Sequence, residues 1–282
     1  MESSRSGSGP YSRRFSAVVV HHVASTAVAV VFLLPFIWVI SASLRQPGLP
    51  PTPAIEWLPR PAAWSNYSRI FQIVPLGRYL LNSLIVVALA VPLTLMTASW
   101  AGFAMAQLSQ RARQYLIALA VMVLMIPYTT LWLPRFVLFK YLLLIDTPWA
   151  LLVPALMGSS PFFVLLFYWT FRRIPKELWE SARLDGAGAL RIWRSIAMPL
   201  ARPTSVAVGV LTFVLYWGDF INPLLYLKSE QRYTLPVGLQ MLQQMDKTNW
   251  PLLMAAAVVM ITPVVLIFLV GQLFFRLDRH SW

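Results

Sequence analysis

Residues that could do chemistry are few in this chain, and none has the spacing of a catalytic or metal site. The absence of cysteine excludes a disulfide framework, a thiolate zinc site and an iron–sulfur cluster. The three histidines, His21, His22 and His280, lack metal-ligand spacing. No Gly-x-x-x-x-Gly-Lys-Ser/Thr phosphate loop is present, and Gly186-Ala187-Gly188 lacks the third glycine of a dinucleotide fingerprint. We therefore expect no enzyme, and no metal, cofactor or ATP bound by this chain itself.

Four polar residues on apolar segments or at their ends are candidates for lining a solute path: Asn82, Tyr128, Asp219 and Asn222. Hydroxyl-rich ligands need such donors and acceptors. Asp219 is the one acidic residue inside a predicted span, and a carboxylate in a membrane is costly enough to suggest function. The helical rise places it about 22 Å along its span, near the outer interface, so an interfacial Asp is the alternative. Polar residues of this kind also commonly tie helices together.

The elements that must position these residues are membrane-spanning helices. Hydrophobic residues make up 58% of the 282 residues and charged residues only 12%. A span needs roughly 20 apolar residues, and six stretches suffice, at about 23–44, 79–104, 115–133, 148–171, 204–225 and 252–275. The predicted fold class is an all-α membrane protein with six transmembrane helices. Ala98, Gly102 and Ala106 recur every four residues and predict a small-residue packing seam.

Basic residues set the predicted orientation. A net charge of +13 would suggest nucleic-acid binding in a soluble protein, but here the Lys and Arg residues lie mainly between apolar runs. Their clusters at span ends favour contact with anionic lipid on the cytoplasmic side. We expect a multi-pass protein of the inner cell membrane with both termini cytoplasmic and no nucleic-acid partner. The predicted organisation is an N-terminal tail (1–22), a six-span domain (23–275) with a cytoplasmic loop at 172–203, and a C-terminal tail (276–282).

Two long segments fall on the outer side in this scheme. Residues 46–78 are rich in proline, which predicts a semi-rigid connector. Residues 226–251 have mixed polarity, which suits either a re-entrant or interfacial helix or a plain loop.

The loop between spans four and five carries the clearest local signals. Pro175 suits a helix start, Glu177 suits the first turn and Gly186 is a natural stop, so a helix is expected from about Pro175 to Asp185. A second helix is expected over Ala189–Ala197. The pair is too polar to insert and too apolar to stay exposed alone. On the residues alone, docking to a partner and lying on lipid headgroups are equally supported.

This loop resembles the EAA loop of binding-protein-dependent ABC importer permeases. The matching run is Glu180-Ser181-Ala182, Asp185-Gly186-Ala187, Trp193, Ile196, Met198-Pro199 and Pro203. Ser181, Trp193 and Met198 replace the Ala, Phe and Leu of the pattern. The resemblance implies that a cytoplasmic coupling loop docks onto an ATP-hydrolysing subunit, with Gly186 at the bend. The coupling residues it implies are Glu180, Ser181, Ala182, Asp185, Gly186 and Ala187.

Shorter pieces resemble the carbohydrate branch of these permeases, in particular the smaller permease of the maltose type. They include Asn66-Tyr67, Asn82-Ser83, Leu144-Ile145-Asp146-Thr147, Trp217-Gly218-Asp219-Phe220 and Thr234-Leu235-Pro236. The resemblance implies translocation of a sugar or oligosaccharide. It also implies two copies of an ATP-binding subunit, a second permease and an extracytoplasmic solute-binding protein, with ATP and Mg on the ATPase.

Two other classes compete with this interpretation. An ion-driven secondary transporter would need several intramembrane carboxylates or paired repeats, whereas the sequence has one such Asp and no clear internal repeat. An intramembrane enzyme would need a catalytic set inside the bilayer, and none is visible in the sequence.

Overall fold

The described part of the chain folds into helices alone, which confirms the predicted all-α class. A computed structural model describes residues 10–48, 57–245 and 249–278, with side chains at 19–48, 57–245 and 249–272. The first seven helices are α1 (Pro10–Ser43), α2 (Ser65–Ile73), α3 (Leu76–Gln107), α4 (Gln110–Met125), α5 (Trp132–Tyr141), α6 (Trp149–Leu156) and α7 (Pro161–Arg172). The others are α8 (Lys176–Leu184), α9 (Ala189–Ile192), α10 (Met198–Leu200), α11 (Arg202–Trp217), α12 (Ile221–Tyr226), α13 (Leu235–Met245) and α14 (Trp250–Asp278).

Membrane-spanning length is reached by four stretches of these helices. They are Val19–Ser43, Leu76–Gln107, Trp149–Arg172 and Trp250–Gln272. Two further pairs are apolar enough but sharply bent: Gln110–Met125 with Tyr128–Tyr141 at 90°, and Ala189–Leu200 with Arg202–Trp217 at 84°. The described chain therefore has four spans by length and composition, or up to six if each bent pair is one span.

The bend after α4 falls where the backbone cannot continue a helix, and a separate break follows α11. α4 stops at Met125, just before Ile126-Pro127, because proline lacks an N–H and disfavours helical geometry in the residue before it. α11 stops at Trp217, and the chain becomes helical again only at Ile221. The continuous helices predicted at 115–133 and 204–225 are thus each interrupted.

One compact unit comprises residues 1–69 and 246–258. Within it, buried Asn66 secures the end of α1: its Nδ2 donates to the carbonyls of Ser43 and Arg45 at 2.8 and 2.7 Å. The Ser43 hydroxyl lies 2.7 Å from the Tyr67 hydroxyl. These bonds supply partners for carbonyls that a helix end leaves open.

The predicted terminal tails and the proline-rich connector are covered only in part by the described residues. α1 begins at Pro10, inside the predicted tail of residues 1–22. Pro50, Pro51 and Pro53 of the proline-rich connector lie at 49–56, outside the described residues, as do residues 279–282 of the predicted C-terminal tail.

The other unit comprises residues 70–245 and 259–282, and α3 is its central helix. α3 packs against α6, α7, α11 and α13. At Gly102, an added Cβ would lie 2.7 Å from the Cβ of Phe167 and 2.8 Å from the amide nitrogen of Tyr168. Only glycine permits this approach of α3 to α7, so the predicted small-residue seam is confirmed.

α13 lies in the segment for which both a helix and a loop were expected. Leu235, Val237 and Leu242 are buried, and the Leu235 amide donates to the Ser83 hydroxyl at 2.8 Å. Gly238 packs so closely on Tyr79 that a Cβ there would lie 2.2 Å from the ring. The helical alternative is therefore confirmed.

Candidate functional site

α8 and the turn after it form the local structure predicted for the loop before α11. Pro175 precedes the first helical residue, and Gly186 follows the end with φ +75°. The amides of Gly186 and Ala187 donate to the carbonyls of Arg183 and Ala182, each at 3.0 Å. This pair of bonds is the Schellman cap, in which a left-handed residue ends a helix. The predicted helix and its glycine stop are confirmed.

The second helix of the loop differs from its predicted form. α9 covers only Ala189–Ile192 and passes into a π-helical turn over Trp193–Ala197, followed by α10. A π turn widens the helix by one residue and often occurs at functional sites. The chain then bends at Ala201 into α11.

The six predicted coupling residues divide between two environments. Ala182 is 8% exposed and Ala187 is half-buried, whereas Glu180, Ser181, Asp185 and Gly186 are exposed. Leu184 beside them is 89% exposed. The loop therefore offers a mixed polar and apolar surface while its alanines face the protein.

Aromatic residues hold the loop against the end of α3. The Trp179 ring lies 5.7 Å from that of Phe103, and the Trp193 ring lies 5.6 Å from that of Trp100. Trp193 Nε1 also donates to the Ser99 hydroxyl at 3.2 Å. Thus Trp193, which replaces the Phe of the pattern, anchors the loop through its own polar atom.

Sequence reasoning missed the partners of these tryptophans on α3. The loop contacts a row of α3 residues spaced four apart: Ser99, Phe103 and Gln107. This row lies beside the Ala98-Gly102-Ala106 seam, and its last member, Gln107, accepts a hydrogen bond from Arg183. That spacing was the available signal, but it does not reveal which loop the face would meet.

The anchored loop is continuous with the core between the spans. Phe103 packs edge-on against Phe171 with centroids 5.9 Å apart, and Phe171 stacks with Phe167 at 5.7 Å. Ala182, Ile192 and Val208 belong to the same buried cluster. Because close-packed interiors transmit displacement, a shift of α8 would be passed to α3, α7 and α11.

A cavity of about 380 Å³ forms the second part of the site. It lies among the α4–α5 bend, α6, and the break between α11 and α12. Three of the four predicted path residues, Tyr128, Asp219 and Asn222, line it together with Arg135. Tyr216, Trp132 and Phe220 add aromatic walls.

A chain of hydrogen bonds joins the polar residues of this cavity. Arg135 Nη1 donates to the Tyr128 hydroxyl at 2.7 Å, and Asn222 Nδ2 lies 3.1 Å from the same oxygen. Asn222 also donates from Nδ2 to Asp219 Oδ2 at 2.7 Å and from its backbone amide to Asp219 Oδ1 at 3.2 Å. Sequence reasoning missed Arg135, which lies one turn of chain beyond the bend.

The break between α6 and α7 adds a hydroxyl to the cavity. Gly158 and Ser159 have φ of +76° and +58°, and the Ser159 hydroxyl lies 2.5 Å from that of Thr94 and 3.0 Å from that of Tyr216. Donors, acceptors and aromatic faces around one cavity are the groups that hold a hydroxylated ring.

Asn82 does not line this cavity. Its Nδ2 donates to the carbonyls of Gln231 and Tyr233, both at 2.9 Å, and so joins α3 to the segment before α13. These bonds are of the tying kind that was the alternative for Asn82, Tyr128 and Asn222.

Asp146, in the loop between α5 and α6, binds the segment that follows α12. It accepts bonds from the amides of Lys228 and Ser229, each at 2.9 Å, and from the Ser229 hydroxyl, and it pairs with Arg232 at 3.2 Å. Burial opposes its charged form, but these bonds and the Arg232 charge outweigh burial and lower the pKa of Asp146 to about 2. The Asp146 carboxylate is therefore ionised at all physiological pH values, and we call it, with these partners, the Asp146 clamp.

Comparison with known proteins shows that most of the chain matches one protein family. Residues 78–279 match the model of the family described as binding-protein-dependent transport system inner membrane component. This range includes α8, its glycine cap and all the residues that line the cavity.

Curated relatives and solved structures cover most of the chain. It is 31% identical over 258 residues to the sulfoquinovosyl glycerol transport system permease protein of Agrobacterium fabrum, covering 92% of this chain and 90% of that protein. It is 34% identical over 194 residues to the arabinooligosaccharides transport system permease protein of Halalkalibacterium halodurans, covering 69% of each. A bacterial ABC transporter involved in the import of the acidic polysaccharide alginate has the same fold, with a TM-score of 0.76, 21% identity, and coverage of 95% of this chain and 99% of that chain.

Proposed function

The chain belongs to the family of binding-protein-dependent transport system inner membrane components, and from this premise we propose that it is a permease subunit of an ABC importer for a sugar or oligosaccharide. One observation carries the proposal. The short helix α8 and the residue after it expose Glu180, Ser181 and Asp185, while Trp179 packs on Phe103 of α3 and Ala182 is buried in the core cluster. Such a helix transmits force from a partner to the spans.

The partners follow from this role. Two copies of an ATP-binding subunit hold ATP and Mg and perform the hydrolysis, so this chain is not itself an enzyme. One of them receives Glu180, Ser181, Asp185 and Gly186, and Ala182 and Ala187 position that surface. A second permease and an extracytoplasmic solute-binding protein complete the assembly. The family description, a binding-protein-dependent transport system inner membrane component, supports a binding protein among these partners.

Coupling follows from the packing of the loop. When ATP closes the ATPase pair, α8 moves with the subunit on which it docks. Because Phe103, Phe167 and Phe171 form one packed cluster with the loop, α3, α7 and α11 move with it as rigid elements. Such coupling is reciprocal, so a loaded binding protein on the other side raises ATP turnover.

The cavity lined by Tyr128, Arg135 and Asn222 is the proposed substrate path. Its polar chain pairs with sugar hydroxyls, and its aromatic walls pack against the ring faces. The relatives are named for different substrates, sulfoquinovosyl glycerol and arabinooligosaccharides. The substrate of this chain is therefore assigned only as a class, a sugar or oligosaccharide.

Orientation is part of the same proposal. Both termini and α8 lie on the cytoplasmic side of the inner membrane, as the clustered Arg residues favour. Reporter fusions after Arg60 and Gln231 are expected outside, and those after Arg111 and Gly188 inside. A reversed pattern would contradict this orientation.

Reconstitution tests the function. The chain is purified with a tagged ATPase, a second permease and a solute-binding protein, and placed in proteoliposomes. We expect ATP-dependent uptake of a sugar and ATP hydrolysis that rises with the loaded binding protein. Uptake that persists without ATP and collapses with the proton or sodium gradient would favour the ion-driven alternative.

A further inference from the structure

A second cavity, of about 340 Å³, lies between α8 and the ends of the spans, and Glu180 belongs both to its lining and to the exposed surface of α8. The ends of α3 and α7, the first turn of α4 and one face of α8 enclose it. We call it the α3–α8 pocket. It is separate from the substrate cavity and shares none of its lining residues.

The charge of the α3–α8 pocket is strongly positive. Arg113, Arg172, Lys176 and Arg183 line it, against a single carboxylate, Glu180. Arg183 donates to Gln107, whereas the side chains of the other three cations make no ion pair or hydrogen bond with any described residue. Like charges gathered at one cavity repel each other, so the pocket favours an anion.

The start of α4 points to the same kind of ligand. Ser109 at its N-cap makes no side-chain cap bond, and the first turn has no acidic residue. The open amides of a helix N-terminus carry partial positive charge, which the nearby Arg113 increases. An anion in the pocket would stabilise both the helix end and the arginine.

The floor of the pocket decides which anion fits. Phe103, Phe171, Ile174 and Trp179 form an apolar surface beneath the cations. A free phosphate or an acidic protein segment has no need of such a floor, but a phospholipid brings a phosphate and apolar chain together. Basic pockets between span ends on the cytoplasmic side commonly bind lipid headgroups.

We propose that the α3–α8 pocket binds the headgroup phosphate of an anionic phospholipid, which fills the space between α8 and the spans. Arg113, Arg172 and Lys176 hold the phosphate, and Trp179 contacts the glycerol and the upper acyl chain. A lipid bound there supports α8 from the side of the spans and leaves Ser181, Asp185 and Gly186, which do not line the pocket, free for the ATPase.

Native mass spectrometry of the assembled transporter tests this site. Complexes are extracted from vesicles of equal phosphatidylglycerol and phosphatidylcholine, and the retained lipids are counted. We expect retention of phosphatidylglycerol over phosphatidylcholine, and a loss of at least about tenfold in Arg113→Gln/Arg172→Gln. The matched control, Arg111→Gln/Arg194→Gln, removes the same charge from exposed positions outside the pocket and is expected to stay within about twofold.

Four outcomes would overturn the proposal. Equal loss in both double variants would mean bulk attraction to the membrane, and equal retention of the two lipids would mean no anion site. Displacement of the lipid by inorganic phosphate at low millimolar concentration would assign the site to a free anion. Unchanged lipid with loss of the ATPase would assign the cations to that partner. If the double variant does not assemble, Lys176→Gln alone is measured, and unchanged retention would count against the site.

Discussion

The loop around α8 and the cavity beside α12 are built by opposite means. The loop is fixed mainly by apolar packing, with Trp179 and Trp193 against α3 and Ala182 buried in the core cluster. The cavity is held by polar bonds among Arg135, Tyr128, Asn222 and Asp219, which leave donors and acceptors at a half-exposed surface.

The difference suits the two tasks that we propose for these regions. Close packing resists compression and carries a displacement intact, which a lever needs. Hydrogen bonds at a wet surface exchange partners at small net cost, which a path for changing solutes needs. Substitutions should therefore act differently in the two regions: those in the loop uncouple ATP hydrolysis, and those in the cavity change substrate recognition.

Gly186→Val is expected to have the largest effect. A Cβ at Gly186 meets nothing within 4 Å, so the penalty comes from φ +75° alone, about 1–2 kcal/mol for an L residue. That strain redirects the chain after α8 while the spans still insert. Uptake and substrate-stimulated ATP hydrolysis should be lost together in proteoliposomes, with normal amounts of protein in the membrane.

Gly188→Val is the matched control for this change. Gly188 has φ −69° and also has open space at its Cβ, so valine costs little there. Wild-type transport by Gly186→Val, or equal loss in Gly188→Val, would show that the left-handed bend is not what the coupling needs.

Arg135→Ala tests the cavity and should rank second. The change removes the donor to Tyr128 and leaves that hydroxyl without its charged partner. We expect the substrate concentration for half-maximal uptake to rise by about tenfold, with coupling intact. Lys140→Ala, on an exposed position of the same helix, is the control. A change in ATP turnover without a change in that concentration would contradict the comparison.

Trp193→Phe separates packing from hydrogen bonding in the loop. The ring contact with Trp100 is kept, while the bond to Ser99 is lost. Since hydrogen bonds between membrane helices contribute about 0.6 kcal/mol, coupling should fall by no more than about threefold. Ser99→Ala removes the same bond from the other side, and the double variant should be no worse than either single one. Additive losses would show that the two residues act separately.

Asp219→Asn should change transport modestly and leave assembly intact. The amide keeps one oxygen that can accept from the Asn222 backbone, so only part of the network is lost. We expect uptake within about threefold of wild type, measured beside the ATPase response. Complete loss of uptake with normal stimulation of ATP hydrolysis would instead make Asp219 a gate.

The Asp146 clamp should show no response to pH in the physiological range. Its pKa in the fold, about 2, lies below the ordinary value of 3.8, so its stabilisation is present above about pH 4 and lost as the pH falls through 2. The difference in melting temperature between wild type and Asp146→Asn in detergent should be constant from about pH 5 to 7 and shrink below about pH 4. A difference that grows on acidification would contradict the low pKa.

Structural features that depend on a few neighbouring residues could be predicted from the sequence. Pro175, Glu177 and Gly186 define α8 and its cap, and the spacing of Ala98, Gly102 and Ala106 defines the packing seam. In both cases the physical cause, a helix stop or a missing side chain, acts within one or two turns.

Features that join distant parts of the chain could not be predicted. Arg135 and Tyr128 meet Asn222 only because α4 and α11 both break, and neither break has a signal strong enough to set its angle. The position of Trp193 depends likewise on a π turn that no residue type requires. The partners of Asn82 could not be predicted either, because a polar residue on a span looks the same in sequence whether it faces a solute or a carbonyl.

The π turn at Trp193–Ala197 constrains how the gene can change length. A π turn holds about one residue more than an α turn, so deleting one codon there would let the turn relax to an ordinary α-helix while α8 keeps nearly the same direction relative to α11. Deleting one codon in the α-helical part of α11 would instead rotate the residues on one side of the gap by about 100° relative to those on the other. One-residue gaps among relatives should therefore collect at Trp193–Ala197, and a gap there would identify a relative with a regular helix in place of the π turn.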